Sequence, residues 1–427
     1  MNPAAGWPWR LIAVVLATAV CAVGPPASNP EPGFDRLLSE RRYFELRRLL
    51  ESAGNLSRPE IFYVRGRVAN AFNQIAPSID DLTSYLREAG GGQPGFRIKS
   101  ALGTLAEDYI RLFQYGQAVE IRKKLLPLLR GELRGDDLAD FQSTTQLWEA
   151  LAAAPPQSVT VSEDTELSPA GNAGVPVTIG GQTVSLLPDT GSSLSLISRP
   201  QAERLGLQDL GVAVDVSTST GQRVTARASV VAEMKIGRII VRNAVFLIVP
   251  EEMLYFPDIK EQRTGLLGLP VLAALRELTL FSTGSLRVPA RPKVQGAPNF
   301  FLEKEDPVLE TIFEGRRLLF HLDTGAIRSQ LYPPFFRAFS DRILRRSAPI
   351  GENIEGVGTD ITVPAYLIQG VRFRLAGRNV VFDRPIAVLA KATGPSSEIY
   401  DGVLGLDILA HYRAITISYE AMRIVLE

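Results

Sequence analysis

The sequence predicts a multidomain protein, in which an all-α helical-repeat domain is followed by an all-β domain made of two lobes. Three observations support this prediction. Apolar residues recur at helical spacing in the first part of the chain, and they alternate with a period of two in the second part. A tripeptide and its surroundings also occur twice in that second part, which indicates an internal duplication.

The overall composition excludes several classes of function. The 427 residues include 46 basic and 46 acidic side chains, so the formal net charge is zero and no basic surface for nucleic acid is expected. One Cys and two His are too few for a Cys/His metal site of the usual kind, and a single Cys allows no disulfide within the chain. We therefore expect a folded protein that uses no metal and no other cofactor and has no nucleic-acid partner.

Residues 1–30 are predicted to be a signal peptide with a Pro-rich start. Arg10 is the only charged residue before Glu31, and the apolar run over residues 11–23 has the length of a signal peptide's hydrophobic core. Cleavage after Ala22 would follow a small-x-small pattern. We therefore expect an extracytoplasmic protein, either periplasmic or secreted. The alternative is a protein anchored in the membrane by an uncleaved residue 11–23 segment.

Residues 31–153 are predicted to form the helical domain, because apolar blocks with helical spacing are separated there by Gly, Asn and Pro. The predicted blocks are 34–50, 61–72, 79–86, 96–113, 118–129 and 138–151. Pro77 is expected to end the second block. Residues 101–126 resemble a tetratricopeptide helix pair, in which the small Ala106 and Ala118 would let two helices cross closely and Tyr109 would fill the seam. The domain is expected either to bind a peptide or protein partner or to be a structural appendage.

A linker is predicted over residues 154–172, where Ala and Pro give way to Ser, Thr, Glu and Asp. Beyond it, Val, Ile, Thr and Gly become frequent, and the period of the apolar pattern changes to two. Residues 173–290 and 291–427 are predicted to be the two β lobes.

Each lobe contains the same elements in the same order. Asp-Thr-Gly begins at Asp189 and again at Asp323, 134 residues later, and each copy follows an apolar strand. An apolar-apolar-Gly element ends at Gly268, 79 residues after the first Asp, and at Gly405, 82 residues after the second. A polar hairpin tip containing Gly lies between the two elements in both copies. Two copies with matched spacing are much stronger evidence than a single tripeptide.

The residue types have a common physical explanation. A carboxylate on a tight turn after a buried strand points into a cleft, and Gly191 and Gly325 let the backbone turn sharply beside it. Thr190 and Thr324 carry short hydroxyl side chains that can bond across a pseudo-two-fold axis. The apolar-apolar-Gly segments would pack under the turns, where Gly permits close approach.

Duplication would place Asp189 and Asp323 face to face. Two carboxylates that close cannot both ionise readily, so the pair keeps one proton. One member can then act as a base on a bound water while the other donates a proton to a substrate carbonyl. The titration belongs to the pair.

With these motifs in place, residues 173–427 resemble the retropepsin-like and pepsin-like aspartic peptidases, with both halves in one chain. The resemblance implies an aspartic-protease (acid protease) fold of two six-stranded-type lobes around a deep cleft. It also implies hydrolysis of peptide or protein substrates by activated water, without a metal or a covalent intermediate. Asp189 and Asp323 match the catalytic pair. Ser192 matches a position whose hydroxyl supports the outer carboxylate oxygen, and the second copy has Ala326 there.

The hairpin tips would be the flaps that close over substrate. The flap residues implied by the resemblance are Thr220, Gly221, Gly356 and Gly358.

Several departures from the family pattern keep an alternative open. Pro188 removes a backbone donor next to the first turn, Pro270 stands where the second copy has Asp407, and neither flap tip is aromatic. The alternative is a non-catalytic scaffold, in which an inert cleft and the helical repeats both bind peptides. A third possibility is a latent enzyme whose helical domain covers the cleft. His321, two residues before Asp323, either tunes the pair or is a hydrogen-bonded residue in the wall of the fold.

Overall fold

The structure is a computed structural model. It describes residues 14–15, 33–52, 58–89, 95–170, 174–218, 223–256, 261–356, 359–382 and 384–427. The described residues form two compact units. The helical unit contains those between 33 and 157 together with residues 301–304, and the β-rich unit contains residues 14–15, 158–300 and 305–427.

The helical unit is built from consecutive antiparallel helices. Their bounds are α1 Gly33–Ser39, α2 Tyr43–Ser52, α3 Arg58–Ala71, α4 Ile75–Glu88, α5 Phe96–Arg111, α6 Tyr115–Leu129 and α7 Asp136–Leu151. The first predicted block is therefore two helices rather than one. The expectation that Pro77 ends a helix is wrong, because Pro77 lies in the first turn of α4, where a missing N–H breaks no helical hydrogen bond.

The same turn joins α1 to α2, α3 to α4 and α5 to α6. In each turn one residue has a positive φ of 55° to 58°, and the next N–H donates to a carbonyl five residues earlier at 2.8 Å. This is the Schellman ending of an α-helix, in which a left-handed residue lets the orphan carbonyls find donors. The left-handed residues are Arg41, Asn73 and Phe113. The helical unit therefore repeats one helix–turn–helix element.

Small residues lie in the core of this unit as expected. Ala106 and Ala118 are buried, and Tyr109 is half-buried. A ring that packs in the core beside α6 is Tyr115, which stacks on the buried Trp148 with centroids 5.3 Å apart. Tyr115 begins α6, and its ring reaches α7.

The β-rich unit contains the strands of both copies, except that residues 301–303 of strand Phe300–Glu303 belong to the helical unit. In the first copy they are Ser158–Thr160, Thr165–Leu167, Val175–Ile179, Gln182–Pro188, Ser195–Ser198, Ala213–Thr218, Arg223–Ile236, Ile239–Val249, Tyr255–Phe256, Glu261–Gln262, Gly265–Leu267, Glu277–Phe281 and Leu286–Val288. In the second copy they are Phe300–Glu303, Asp306–Phe313, Arg316–Leu322, Gln330–Leu331, Pro349–Gly356, Thr359–Ile368, Arg372–Leu375, Arg378–Val381, Ile386–Leu389, Gly402–Leu404, Ala414–Ser418 and Arg423–Leu426. The short helices of this unit are Arg199–Arg204, Glu251–Leu254, Leu269–Ala274, Pro333–Arg346, Pro395–Ile399 and Leu406–Ala410.

The two copies share one local topology around the predicted turns. In the first copy, strand Gly265–Leu267 runs parallel to Gln182–Pro188 and antiparallel to Ser195–Ser198. In the second copy, Gly402–Leu404 runs parallel to Arg316–Leu322 and antiparallel to Gln330–Leu331. The apolar-apolar-Gly element is therefore the central strand of the same three-strand arrangement in both lobes.

A sheet made from both copies joins the lobes. Its strand order is Arg423–Leu426, Ala414–Ser418, Glu277–Phe281, Leu286–Val288 and Thr165–Leu167. The buried Thr279 and Thr416 are opposite each other at its centre, with their hydroxyl oxygens 2.8 Å apart. Equivalent residues of the two copies thus meet on the pseudo-two-fold axis.

Two segments that precede the lobes are the predicted export signal and the predicted linker. The predicted export signal lies outside the described residues, apart from Val14–Val15, which forms a two-residue strand paired with residues 217–218. In the part of the chain with described placement, no helix is long and apolar enough to cross a membrane. The segment predicted as a linker, residues 154–172, contributes strands Ser158–Thr160 and Thr165–Leu167, because its Val and Thr residues pair with sheet edges.

Candidate active site

Asp189 and Asp323 occupy equivalent positions in the two lobes. Each is the first residue after its strand, and each is fully buried. The N–H of Asp189 donates to the carbonyl of Leu267 at 2.9 Å, and the N–H of Asp323 donates to that of Leu404 at 3.0 Å. The central strand of each lobe therefore fixes where its Asp-Thr-Gly turn begins.

The two carboxyl groups are electrostatic neighbours, since the charge of Asp323 adds to the effect of burial in raising the pKa of Asp189. The Oδ1 atom of Asp189 accepts the N–H of Gly191 at 2.8 Å, and Oδ1 of Asp323 accepts the N–H groups of Gly325 and Ala326 at 2.8 and 3.1 Å. Both Oδ2 atoms are buried and accept no hydrogen bond from any described donor of the protein. One oxygen of each group is thus held by backbone N–H groups.

Gly191 is required at this position by the opposite carboxyl group. A Cβ atom placed on Gly191 would lie only 2.6 to 2.7 Å from the carboxyl atoms of Asp323. Real Cβ atoms do not approach that closely, so any other residue would push the two acids apart. The sequence predicts a sharp turn at this glycine, and the contact with the opposite carboxyl group is a second reason for glycine here.

Thr190 and Thr324 lock the two turns together, as predicted from their hydroxyl groups. The Thr190 hydroxyl accepts the N–H of Thr324 at 3.0 Å and donates to the carbonyl of Leu322 at 2.8 Å. The Thr324 hydroxyl accepts the N–H of Thr190 at 3.0 Å and donates to the carbonyl of Pro188 at 2.9 Å. All four bonds are buried and cross from one lobe to the other. Pro188 therefore supplies the carbonyl that this arrangement needs, and its missing N–H does not disturb it.

The glycines of the apolar-apolar-Gly elements lie against backbone. A Cβ on Gly268 would lie 2.4 Å from the carbonyl carbon of Leu194, and one on Gly405 would lie 2.8 Å from the carbonyl oxygen of Ala326. The loops that follow the Asp-Thr-Gly turns therefore depend on both glycines.

Two serines that sequence reasoning missed also support these loops. Ser195 accepts the N–H of Gly268 at 3.1 Å, and Ser329 accepts the N–H of Gly405 at 3.0 Å. Each serine stands six residues after its aspartate, so the repeated spacing was a signal that could have found them.

The departure at Asp407 has a structural explanation. Its carboxylate accepts both the hydroxyl of Ser329, at 2.6 Å, and the N–H of Ser329, at 3.0 Å. Pro270, the equivalent residue of the first copy, instead lies in the first turn of helix Leu269–Ala274. Asp407 therefore holds the serine of the second lobe, whereas the proline side chain at the equivalent position has no polar atom that could do so.

Burial dominates the electrostatics of the acid pair. Removal from water raises the pKa of the Asp323 carboxyl, and the donors on its Oδ1 atom act in the opposite direction. Burial also raises the pKa of Asp189, and the charge of Asp323 raises it further. The pair therefore retains a proton at a pH where isolated carboxyl groups are ionised.

His321 lies beneath Asp323 in a group of aromatic side chains. Its Nε2 atom is 3.3 Å from the hydroxyl of Tyr332, and its ring stacks on Tyr400 at 5.2 Å. Burial lowers the pKa of His321, so the ring is neutral. These contacts favour the interpretation of His321 as a wall residue. Among the residues whose placement is described, no group of three or more His, Cys, Asp or Glu is arranged to hold a metal ion.

The remaining predicted residues are placed as follows. Ser192 is buried, but its hydroxyl donates to the carbonyl of Leu194 at 2.7 Å and not to Asp189, because the turn brings that carbonyl closer. The expected support of the outer oxygen by Ser192 is therefore absent from this structure. Gly356 ends strand Pro349–Gly356 and is paired with Thr359.

The other three flap residues, Thr220, Gly221 and Gly358, lie outside the described residues.

Two Asp-Thr-Gly turns joined by crossed threonine bonds give the β-rich unit the arrangement of an aspartic protease fold. The sequence model of the family described as aspartyl protease matches residues 175–271. That match includes the first Asp-Thr-Gly and its apolar-apolar-Gly element. Residues 175–271 therefore carry the aspartyl protease family pattern, and the predicted resemblance and fold class are confirmed.

Solved structures similar to the chain include two proteins of low identity. The retropepsin-like aspartic protease from Rickettsia conorii is 14% identical, with 31% of this chain and 91% of that chain covered and a TM-score of 0.21. Basic 7S globulin from soybean is 11% identical, with 63% of this chain and 96% of that chain covered and a TM-score of 0.36. No curated protein matches the sequence of the chain.

Proposed function

We propose that this protein is an exported aspartic endopeptidase, which hydrolyses peptide bonds with a water molecule activated by Asp189 and Asp323. The observation that carries the proposal is the juxtaposition of two buried carboxyl groups whose outer oxygens accept no bond from described protein donors. Buried polar atoms normally have partners, so two such oxygens side by side are suited to hold a shared water.

The chemistry follows from the single proton that the pair retains. The ionised carboxylate takes a proton from the water as the water oxygen attacks the peptide carbonyl carbon. The protonated carboxyl gives its proton to the carbonyl oxygen, so a neutral gem-diol forms. When the C–N bond breaks, a proton passes to the leaving nitrogen and the diol becomes a carboxylic acid. Water is the only co-reactant.

The backbone around the pair keeps this geometry in place. Because the N–H groups of Gly191, Gly325 and Ala326 hold the Oδ1 atoms, neither carboxyl group is free to rotate away. We further propose that the hairpins containing Thr220, Gly221, Gly356 and Gly358 are the flaps that cover a bound peptide.

Matched Asp→Asn variants test the activity. Purified protein is incubated with a proteome-derived peptide library from pH 3 to pH 8, and products are identified by mass spectrometry. We expect Asp189→Asn and Asp323→Asn each to abolish cleavage, because an amide neither takes nor supplies the required proton. Asp80→Asn, at an exposed position of the helical unit, is the control and is expected to cleave normally. Chelators and reagents for serine or thiol nucleophiles are expected to leave the activity unchanged.

The same experiment separates the alternative function. If the unmodified protein cleaves nothing across the pH range, the cleft is inert and the protein is a peptide-binding scaffold. Retained cleavage in either Asp→Asn variant would also refute the proposed mechanism.

We also propose that residues 1–30 direct export. The N-terminal sequence of protein recovered from the periplasm or medium is expected to begin after Ala22. Recovery of the protein in the membrane fraction, with residues 11–23 retained, would instead establish an anchor.

A further inference from the structure

The helical unit contains a four-residue segment, residues 301–304, that lies far from its helices in the sequence. The ring of Phe301 is fully buried in an aromatic cluster, with centroid distances of 5.0 Å to Tyr43 and 5.9 Å to Phe44. Phe44 in turn contacts Phe72 at 5.3 Å. Phe301 therefore packs against two rings of α2, one of which also contacts Phe72 just after α3.

Two donors of the helical unit hold the carboxylate of Glu303. The hydroxyl of Tyr43 donates to Oε2 at 2.9 Å, and Nε of Arg41 donates to Oε1 at 3.1 Å. The guanidinium of Arg67, from α3, donates to the Tyr43 hydroxyl at 3.3 Å. The carboxylate is thus held at both oxygens, and one of its donors is itself positioned by a cation.

The next residue, Lys304, acts on an acidic side chain of α5. Burial raises the pKa of Glu107 to about 7, and the charges of Lys304 and Arg67 oppose that increase. The segment therefore places an aromatic ring against two other rings and a carboxylate against a tyrosine hydroxyl and an arginine. Its ammonium group interacts electrostatically with the carboxyl group of Glu107. Residues from all three helix pairs take part, through Tyr43, Arg67 and Glu107.

We propose that the helical unit is a peptide-recognition module whose ligand is the chain's own segment Phe301-Leu302-Glu303-Lys304. The recognised pattern is an aromatic residue, an acidic residue two positions later, and a basic residue directly after the acidic one. Apolar packing alone does not require a carboxylate held at both oxygens and a neighbouring charge of opposite sign. This role is separate from the acid pair and does not depend on catalysis.

Amide hydrogen exchange of the full chain tests the proposal. Phe301→Ala and Glu303→Ala are compared with matched controls from the β-rich unit, Phe373→Ala and Glu310→Ala. Phe373 is a buried ring, and Glu310 accepts a 2.7 Å bond from Arg317. We expect Glu303→Ala to speed exchange in α2 and α3 about 10- to 100-fold, because two partly buried donors lose their acceptor. Phe301→Ala is expected to have a larger effect, and the controls are expected to leave α2 and α3 unchanged.

A peptide added in trans then separates recognition from simple packing. A synthetic peptide spanning residues 299–307 is added to the Phe301→Ala/Glu303→Ala double variant, with a peptide carrying the same two alanines as its control. Restored protection of α2 and α3 by the first peptide alone supports recognition. Equal exchange in α2 and α3 for wild type and both single variants would overturn the proposal, as would failure of the peptide to restore protection. Unchanged exchange in strand Gln182–Pro188 verifies that the variants are folded.

Discussion

Thr190→Val and Thr324→Val should each destabilise the β-rich unit, and the two losses should be similar. Thr190→Val leaves the N–H of Thr324 and the carbonyl of Leu322 buried without a partner. Thr324→Val does the same to the N–H of Thr190 and the carbonyl of Pro188. One unpaired buried group costs about 1–3 kcal/mol, so each variant, which leaves two such groups, should lose about 2–6 kcal/mol of unfolding free energy. The near-identical bond lengths predict that the two losses agree within about 1 kcal/mol.

Amide exchange by global unfolding of strands Gln182–Pro188 and Arg316–Leu322 measures these losses. Thr183→Val is the matched control, because the Thr183 hydroxyl is exposed and lies 3.3 Å from that of Thr178. It is expected to change the unfolding free energy by less than about 0.5 kcal/mol. A loss below about 1 kcal/mol in both turn variants, or a large loss in only one of them, would refute the symmetric crossed arrangement.

Three further predictions follow from the same site. Gly191→Ala should abolish cleavage and lower the melting temperature, because the new Cβ meets the Asp323 carboxyl. The control Gly116→Ala places its Cβ no nearer than 3.8 Å to a neighbouring atom and should be neutral or stabilising. Equal effects of the two substitutions would contradict the close approach at Gly191. Asp323→Asn should raise the unfolding free energy at pH 7 by on the order of 1–4 kcal/mol, measured in urea titrations. The reason is that burial raises the pKa of the native carboxyl, so the unmodified protein loses stability as pH rises from about 4 towards 7. That gain should vanish near pH 4, and a pH-independent gain would show that the carboxyl is not the cause. His321→Phe should reduce the loss of stability between pH 7 and pH 5. Burial lowers the pKa of His321, so as pH falls below about 6.5 the unfolded chain binds a proton at this residue that the folded protein does not. An unchanged loss in the same titrations would show that His321 is not its cause.

Much of the active site could be predicted because its determinants are local and occur twice. Asp-Thr-Gly specifies an acid, a hydroxyl and a tight turn within three residues, and duplication supplies the symmetry that brings Asp189 and Asp323 together. The apolar-apolar-Gly element specified the central strand in the same way. The roles of Ser195 and Ser329 could be predicted only from their equal distance to the two aspartates. A serine by itself has no sequence pattern that marks it as the acceptor of a backbone N–H.

The unpredicted features depend on which partner is nearer in space. Ser192 bonds to Leu194 because two acceptors compete for one hydroxyl proton, and a sequence pattern does not rank them. Arg41 takes a positive φ at the end of α1, although Gly or Asn is usual there, so the break within the first predicted helix was hidden. The inclusion of residues 301–304 in the helical unit is a long-range pairing that no local window contains.

The crossed threonine bonds have a consequence for the ancestry of the molecule. Each half holds the backbone of the other half's turn, and the carboxyl of Asp323 leaves no room for a side chain at position 191. A single half, separated from its sister, would therefore present a turn with unpaired polar groups and one solitary acid. The paired turns are therefore a property of the two halves together, and neither half carries them alone.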